Sequence, residues 1–245
     1  MEHHPAVSRA VSREEWLAAR KALLIKEKEA TRLRDQLNAE RMALPWVKIE
    51  KEYTFDSPQG KTTLADLFAG RSQLVIYHFM FAPGWAAGCP GCSHMSDHLD
   101  GPLTHLEHHD VSLAVVSRAP IVDIEAYKKR MGWRFPWVSS FGTGFNYDFQ
   151  VTLPKEDIAS GKAVYNFANV PAQADAKDIE AHGISAFYKD QSGQVFHTYS
   201  TYARGVEEWV GTLMILDRTP KGRNEKSAGD FVRRHDEYDK AATAR

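Results

Sequence analysis

Apolar residues recur with a helical period at the start of the chain. Trp16, Ala19, Leu23, Ala30, Leu33, Leu37 and Leu44 fall on one stripe until Pro45 interrupts it. Ser12, three residues before Glu15, supplies a capping box, so the spacing predicts a long N-terminal helical arm over residues 1–45. The positions between carry many charges, as in KEKEATRLRDQ, and form a solvated face. The apolar stripe is the candidate surface for a second copy of the chain.

Beyond Pro45 the period changes. KIEKEYTFDSPQGKTTLADLF predicts a short strand ending at Phe55, a turn over Asp56 to Gly60 and a short helix around Leu64 to Phe68. QLVIYHFMF, Gln73 to Phe81, is too continuously apolar for a half-exposed strand and predicts a mid-sheet strand covered on both faces. A loop with Pro83 and Gly84 follows, then a helix from about Pro90, broken near Gly101 and Pro102, then the strand Val111 to Ser117. That is a β-α-β unit. Next come a helix in IVDIEAYKKRMG, a short strand in FPWVSS and two strands in ISAFYKDQSGQVFHTYS joined by a turn at Asp190 to Gly193. An amphipathic helix in GVEEWVGTLMIL closes the series. The order predicts an α/β, thioredoxin-like architecture over residues 46–216, a mixed central sheet with helices on both faces. Residues 140–181 lack a clear period but are rich in aromatic side chains, an insertion expected to build a small satellite core. The polar, turn-rich residues 217–245 are expected to be a solvated C-terminal arm, with one helix around Phe231 to Tyr238.

Composition narrows the chemistry. With 245 residues and 43% hydrophobic content, a sizeable core is available. The formal net charge of −1, from 31 basic and 32 acidic side chains, gives no bulk attraction to nucleic acid or to a membrane surface. No apolar run is long enough to span a bilayer and the first residues lack a secretory apolar core, so a cytoplasmic location is expected. In that reducing compartment two cysteines at positions 89 and 92 are a redox pair or half a metal site, rather than a static staple.

Their placement favours redox chemistry. A central strand, a loop and then C-x-x-C opening a helix puts the first cysteine where unpaired backbone N–H groups converge and favour thiolate. Cys89 is therefore the candidate nucleophile. Cys92, one turn further in, is the candidate resolving thiol that attacks a mixed disulfide formed on Cys89. Pro90 is tolerated in the first turn of such a helix. Trp85, on the loop before Cys89, is a candidate auxiliary residue that shapes a substrate surface. The expected partner is a thiol or disulfide substrate, protein or small molecule, and no cofactor is needed beyond the cysteine pair.

Long stretches of the chain, among them SQLVIYHFMF, GCPGCS, VVSRAP, GWRFPWVSSFGTGFNYDF, FHTYSTYARGVEEW and RTPKGRNE, resemble the bacterial thioredoxin-like family catalogued as domain of unknown function 899. The resemblance implies a thioredoxin-like fold and an oxidoreductase. Two positions differ from better-known relatives of that fold. The strand facing C-x-x-C lacks the preceding proline, reading AHGISAFY, and Ala86 stands where peroxiredoxins carry a threonine. Thiol–disulfide exchange therefore ranks first and peroxide reduction second. By the same alignment His182 lies in the loop facing the cysteines, a candidate proton carrier.

Two other classes of function remain open. One is a copper or zinc site on the two thiolates with His182 as a distant ligand. His94 and His98 do not complete it, because on a regular helix they lie about 200° and about 240° around from Cys92. They are expected to be surface side chains, and the reduced protein is expected to hold no metal. The other class is a non-catalytic binding or assembly module working through the N-terminal helix. His78, within the buried strand, is expected to be a hydrogen-bonded core residue, and Glu107 to Asp110 a solvated stretch.

Overall fold

The Ser12 hydroxyl accepts the Glu15 backbone N–H at 3.1 Å while the Glu15 carboxylate accepts that of Ser12 at 3.2 Å. From this capping box α1 runs over Arg13–Met42. None of its residues is buried, and Trp16, Leu23, Leu33 and Leu37 remain exposed. The computed structural model describes residues 10–238, so the outer ends of the two predicted arms, 1–9 and 239–245, lie outside the described residues. Two compact units are present. Of the described residues, one holds 10–45 with Ile215–Asn224, and the other holds Trp46–Met214 with 225–238.

The second unit is a mixed α/β structure built on an eight-stranded sheet. Its elements are β1 (Val47–Lys48), β2 (Thr54–Ser57), β3 (Gly60–Thr63), β4 (Gln73–His78), α2 (Pro90–Ser96), α3 (Leu103–His108), β5 (Val111–Ser117), α4 (Ile121–Met131) and β6 (Trp137–Ser139). They continue with α5 (Phe145–Asp148), β7 (Thr152–Leu153), α6 (Lys155–Ala159), β8 (Val164–Tyr165), β9 (Ala168–Asn169), β10 (Ile179–Glu180), β11 (Gly183–Lys189) and β12 (Val195–Tyr202). α7 (Gly211–Leu216) follows, and its last two residues are counted with the first unit. The sheet order is β1-β12-β11-β4-β5-β6-β2-β3. β4 is parallel to β5, with His78 opposite Val116, and antiparallel to β11, with Gly183 opposite His78.

β4 lies mid-sheet because both its faces are covered. Leu74, Ile76 and His78 face a cluster containing Phe55, Phe68, Phe145 and Phe149, while Tyr77 and the following Phe79 face Met95, Tyr127 and Trp137. His78 is buried, with Nε2 2.8 Å from the Ser185 hydroxyl and the ring stacked on Phe149. Ser185 in turn meets Ser200 at 2.8 Å, and Ser200 meets His197 Nε2 at 2.7 Å. Burial without an opposing charge pushes the His78 ring down to about 3.

Four segments depart from the sequence expectation. The strand expected to stop at Phe55 continues to Ser57 and returns as β3, because Gly60 adopts a φ of 113° and the Ser57 hydroxyl bonds to its carbonyl at 2.8 Å. The insertion does not form only a satellite. Phe145, Phe149 and Val151 join the core against β4, and only Leu153, Ile158 and Ala163 make a separate small cluster. The closing helix is split into a 3₁₀ stretch, Ala203–Trp209, and α7, with Val210 between them in a non-helical conformation. Finally, Phe231 to Tyr238 forms turns rather than a helix. The Arg233 guanidinium occupies the carbonyls of Asp230 and Val232, and the Tyr238 hydroxyl takes the Arg233 N–H, so side chains replace helical backbone bonds. Val232 is buried, so this stretch is not the fully solvated arm expected. Among the described residues no helix is long and apolar enough to cross a membrane.

Candidate active site

The loop after β4 is fixed by its backbone before any cysteine is reached. Phe81 accepts the Ala119 N–H at 2.7 Å, and Met80 accepts the Cys89 N–H at 3.1 Å. Gly88 lies flat against two rings: a Cβ there would stand 2.4 Å from Phe79 Cε1 and 2.9 Å from Tyr127 Cε1. No larger residue fits without moving the loop. Cys89 is the N-cap of α2, with extended rather than helical backbone angles, and its carbonyl accepts the Ser93 N–H at 2.9 Å. Pro90 opens the helix with no N–H to satisfy.

Cys92 is buried beneath this turn, and its sulfur takes the Met80 N–H at 3.5 Å. The two cysteines are 4.0 Å apart and both thiols are free. Their environments push them in opposite directions. The hydrogen bond from Cys92 lowers the Cys89 thiol to about 6, against burial, helped by the backbone N–H groups of Cys92 and Gly91 and by the positive charge of Arg234. Burial pushes Cys92 far up, and giving its hydrogen bond to Cys89 adds to the rise. The sequence located the helix start but not the larger cause, which is the neighbouring thiol.

Tyr77 lies against Cys92, and burial raises its hydroxyl. Ser93, buried on α2, donates to the Cys89 carbonyl at 2.8 Å and lies 2.8 Å from the Tyr127 hydroxyl. His182 is half-buried; its Nε2 stands 3.3 Å from the Ala203 carbonyl and burial lowers the ring. Its own carbonyl accepts the Tyr165 hydroxyl at 2.8 Å. The ring thus meets a carbonyl rather than a thiol. Gly183, where relatives of the expected fold carry proline, has a Tyr202 ring atom 2.4 Å from the place of a Cβ.

Trp85 is 40% exposed and lines an open cleft of about 360 Å³ with Phe81, Ala86, Tyr127 and Arg130. His94 and His98 are half-buried rather than surface groups, with rings 5.6 Å apart and His98 Nε2 2.9 Å from the Thr212 hydroxyl. Arg118 pairs with the buried Glu180 at 2.6 Å, and Arg134 lies 3.7 Å from Asp100. Among the described residues no group of three or more His, Cys, Asp or Glu side chains is placed to hold a metal ion.

The tail contributes a residue that sequence reasoning missed. Arg234 donates from Nη2 and Nε to the Gly88 carbonyl at 2.6 and 3.0 Å. Around it, Arg130 holds Asp236 at 2.7 Å and His235 Nδ1 lies 2.7 Å from Asp97. The only signal in the sequence is the mixed-charge run RRHDEYD, which does not reveal a partner 146 residues away.

A family model described as bacterial protein of unknown function (DUF899) matches residues 5–238. No curated protein matches the chain. Among solved structures, a cysteine-to-serine mutant of PrxQ from Xylella fastidiosa aligns at 16% identity and a TM-score of 0.42, covering 66% of this chain and 88% of that one. Peroxidoxin BcpB from Mycobacterium tuberculosis aligns at 15% identity and a TM-score of 0.41, covering 70% and 96%. Peroxiredoxin Q from Xanthomonas campestris aligns at 18% identity and a TM-score of 0.40, covering 65% and 88%.

Proposed function

From the premise that this chain belongs to the bacterial family of unknown function DUF899, we propose that it is a thiol–disulfide oxidoreductase of thioredoxin-like fold. The fold reading rests on the run β5-β4-β11-β12, in which the central strand leads into the cysteine-bearing helix. The function rests on one observation: Cys89, half-buried at the helix start, is lowered to about 6 while Cys92, 4.0 Å away, is fully buried and pushed up. One sulfur is prepared to attack and the other to wait.

In the reducing direction the Cys89 thiolate attacks a substrate disulfide, forming a mixed disulfide and expelling one substrate thiolate. Cys92 then attacks Cys89 Sγ, closing the intramolecular disulfide, and the second substrate thiolate leaves with the Cys92 proton. The protein loses two electrons and the substrate gains two. A reducing compartment such as the cytoplasm suits this dithiol.

The test is trapping. Reduced protein treated with oxidised glutathione should lose two hydrogens by mass spectrometry and regain them with dithiothreitol. Cys92→Ser should hold a stable mixed disulfide on Cys89, whereas Cys89→Ser should trap little. Thiols that remain fully alkylatable after oxidised glutathione and after hydrogen peroxide would overturn the reading. Closure with peroxide alone would assign the site to peroxide reduction instead.

A further inference from the structure

We propose that Arg234 is a positioning residue of the dithiol site: the C-terminal segment brings its guanidinium onto the Gly88 carbonyl, fixing the loop that carries Cys89 and setting a permanent cation beside the reacting sulfur. The role rests on the oxidoreductase reading above.

Four observations converge on it. Two guanidinium nitrogens share one carbonyl, that of the residue immediately before the nucleophile. That carbonyl belongs to Gly88, already pinned between Phe79 and Tyr127, so a small displacement of the segment is transmitted to the Cys89 backbone. The segment is itself anchored at other points: Arg130 to Asp236 and Glu237, His235 to Asp97, and Val232 in the interior. Arg234 is held in orientation by Glu237 at 2.9 and 3.1 Å.

The charge acts on both partners it faces. Arg234 stabilises the Cys89 thiolate and counters the rise of the Tyr127 hydroxyl. The other groups bearing on Cys89 are the Cys92 thiol, which donates to it, and the backbone N–H groups of Cys92 and Gly91, while the Cys89 charge in turn raises the Tyr77 hydroxyl. Among the described residues Arg234 is the one cation that lowers Cys89, by less than the Cys92 thiol and the backbone N–H groups do. It is permanently charged, so its help persists at every pH where the thiolate exists.

The experiment is the pH profile of Cys89 alkylation by iodoacetamide in the full chain. Arg234→Met should raise the apparent pKa by about one unit. Because nucleophilicity rises with thiol pKa, the rate near pH 5 should fall about three- to fourfold while the plateau above pH 8 rises about threefold. Arg234→Lys, which keeps the charge and loses the two-nitrogen grip, should recover at least half of the shift. Arg130→Gln, which frees Asp236 and Glu237 of the segment from α4 and leaves the Arg234 side chain itself unchanged, should shift the profile the same way by less. An unchanged profile in folded Arg234→Met overturns the proposal; if that variant unfolds, an unchanged profile in both Arg234→Lys and Arg130→Gln does so. Alkylation reports thiolate formation whether or not a disulfide closes. A wild-type protein that never forms a disulfide therefore defeats the oxidoreductase reading alone.

Discussion

The hydroxyls of Ser93 and Tyr127 lie 2.8 Å apart in the interior, and Ser93 passes its own hydrogen to the Cys89 carbonyl. The Cys89 backbone is therefore tied through α2 to α4. Ser93→Ala removes two hydrogen bonds, one at the Tyr127 hydroxyl and one at the Cys89 carbonyl, which keeps the Ser93 N–H. Urea unfolding should report a loss of about 1–3 kcal/mol. A change under about 0.3 kcal/mol would mean that the chain of hydroxyls does not hold the turn.

Because the Cys92 thiol is the first cause of the lowered Cys89 value of about 6, removing that donor should weaken the thiolate. In Cys92→Ala the apparent pKa, read from thiolate ultraviolet absorbance against pH, should climb toward the free-thiol value of about 8.5. Cys92→Ser retains an O–H donor and should climb less. Equal values in the alanine variant and the wild type would leave the backbone and Arg234 as the whole cause.

His78 gives the stability a pH dependence. The folded protein keeps the ring neutral down to about 3, whereas the unfolded chain takes up the proton near pH 6.5. Stability should therefore fall as pH drops from about 6.5 to about 3, by up to about 1.4 kcal/mol per pH unit, and level off below that window. His197, also lowered by burial, adds in the same direction. Urea titrations near pH 7 and near pH 4.5 should differ less in His78→Gln than in the wild type. An identical difference would remove His78 as a cause.

Gly88→Ala should displace the loop rather than the rings, since the new Cβ would stand 2.4 Å from Phe79 and 2.9 Å from Tyr127 within a packed core. A stability loss of about 1–3 kcal/mol, with slower closure of the Cys89–Cys92 disulfide, is the expected result. Calorimetry and quenched-flow alkylation read the two effects separately. Normal closure in a destabilised variant would show that the Gly88 contact serves packing alone.

Local patterns carried much of the fold. The Ser12–Glu15 capping box, the unbroken run of β4 and the thiols at the start of α2 were legible, because each depends on residues within one or two turns. What failed depended on distance. Phe145 and Phe149 gave no period, since a four-residue helix is too short to show one, and their place in the core is set by β4 and β11. The closing helix broke at Val210, whose φ of −100° and ψ of 89° are not helical, and the 3₁₀ stretch before it starts at Ala203, which gives its N–H to the Tyr165 hydroxyl 38 residues earlier. Within the site, the cysteines were visible from spacing, but Ser93, Tyr127 and Arg234 were not. Their roles lie in contacts between segments, which no local pattern records.

The separation between Gly88 and Arg234 also has a meaning in time. The two are 146 residues apart, and synthesis at roughly 5–20 residues per second puts roughly 7–30 s between their emergence from the ribosome. β11, which pairs with the strand leading to the site, also arrives late, since Gly183 lies opposite His78. During that interval a nascent chain exposes Cys89 without its guanidinium neighbour and without the finished sheet behind it. The thiol then has its Cys92 neighbour but not the cation, and its surroundings are completed only once the segment around Arg234 has been made.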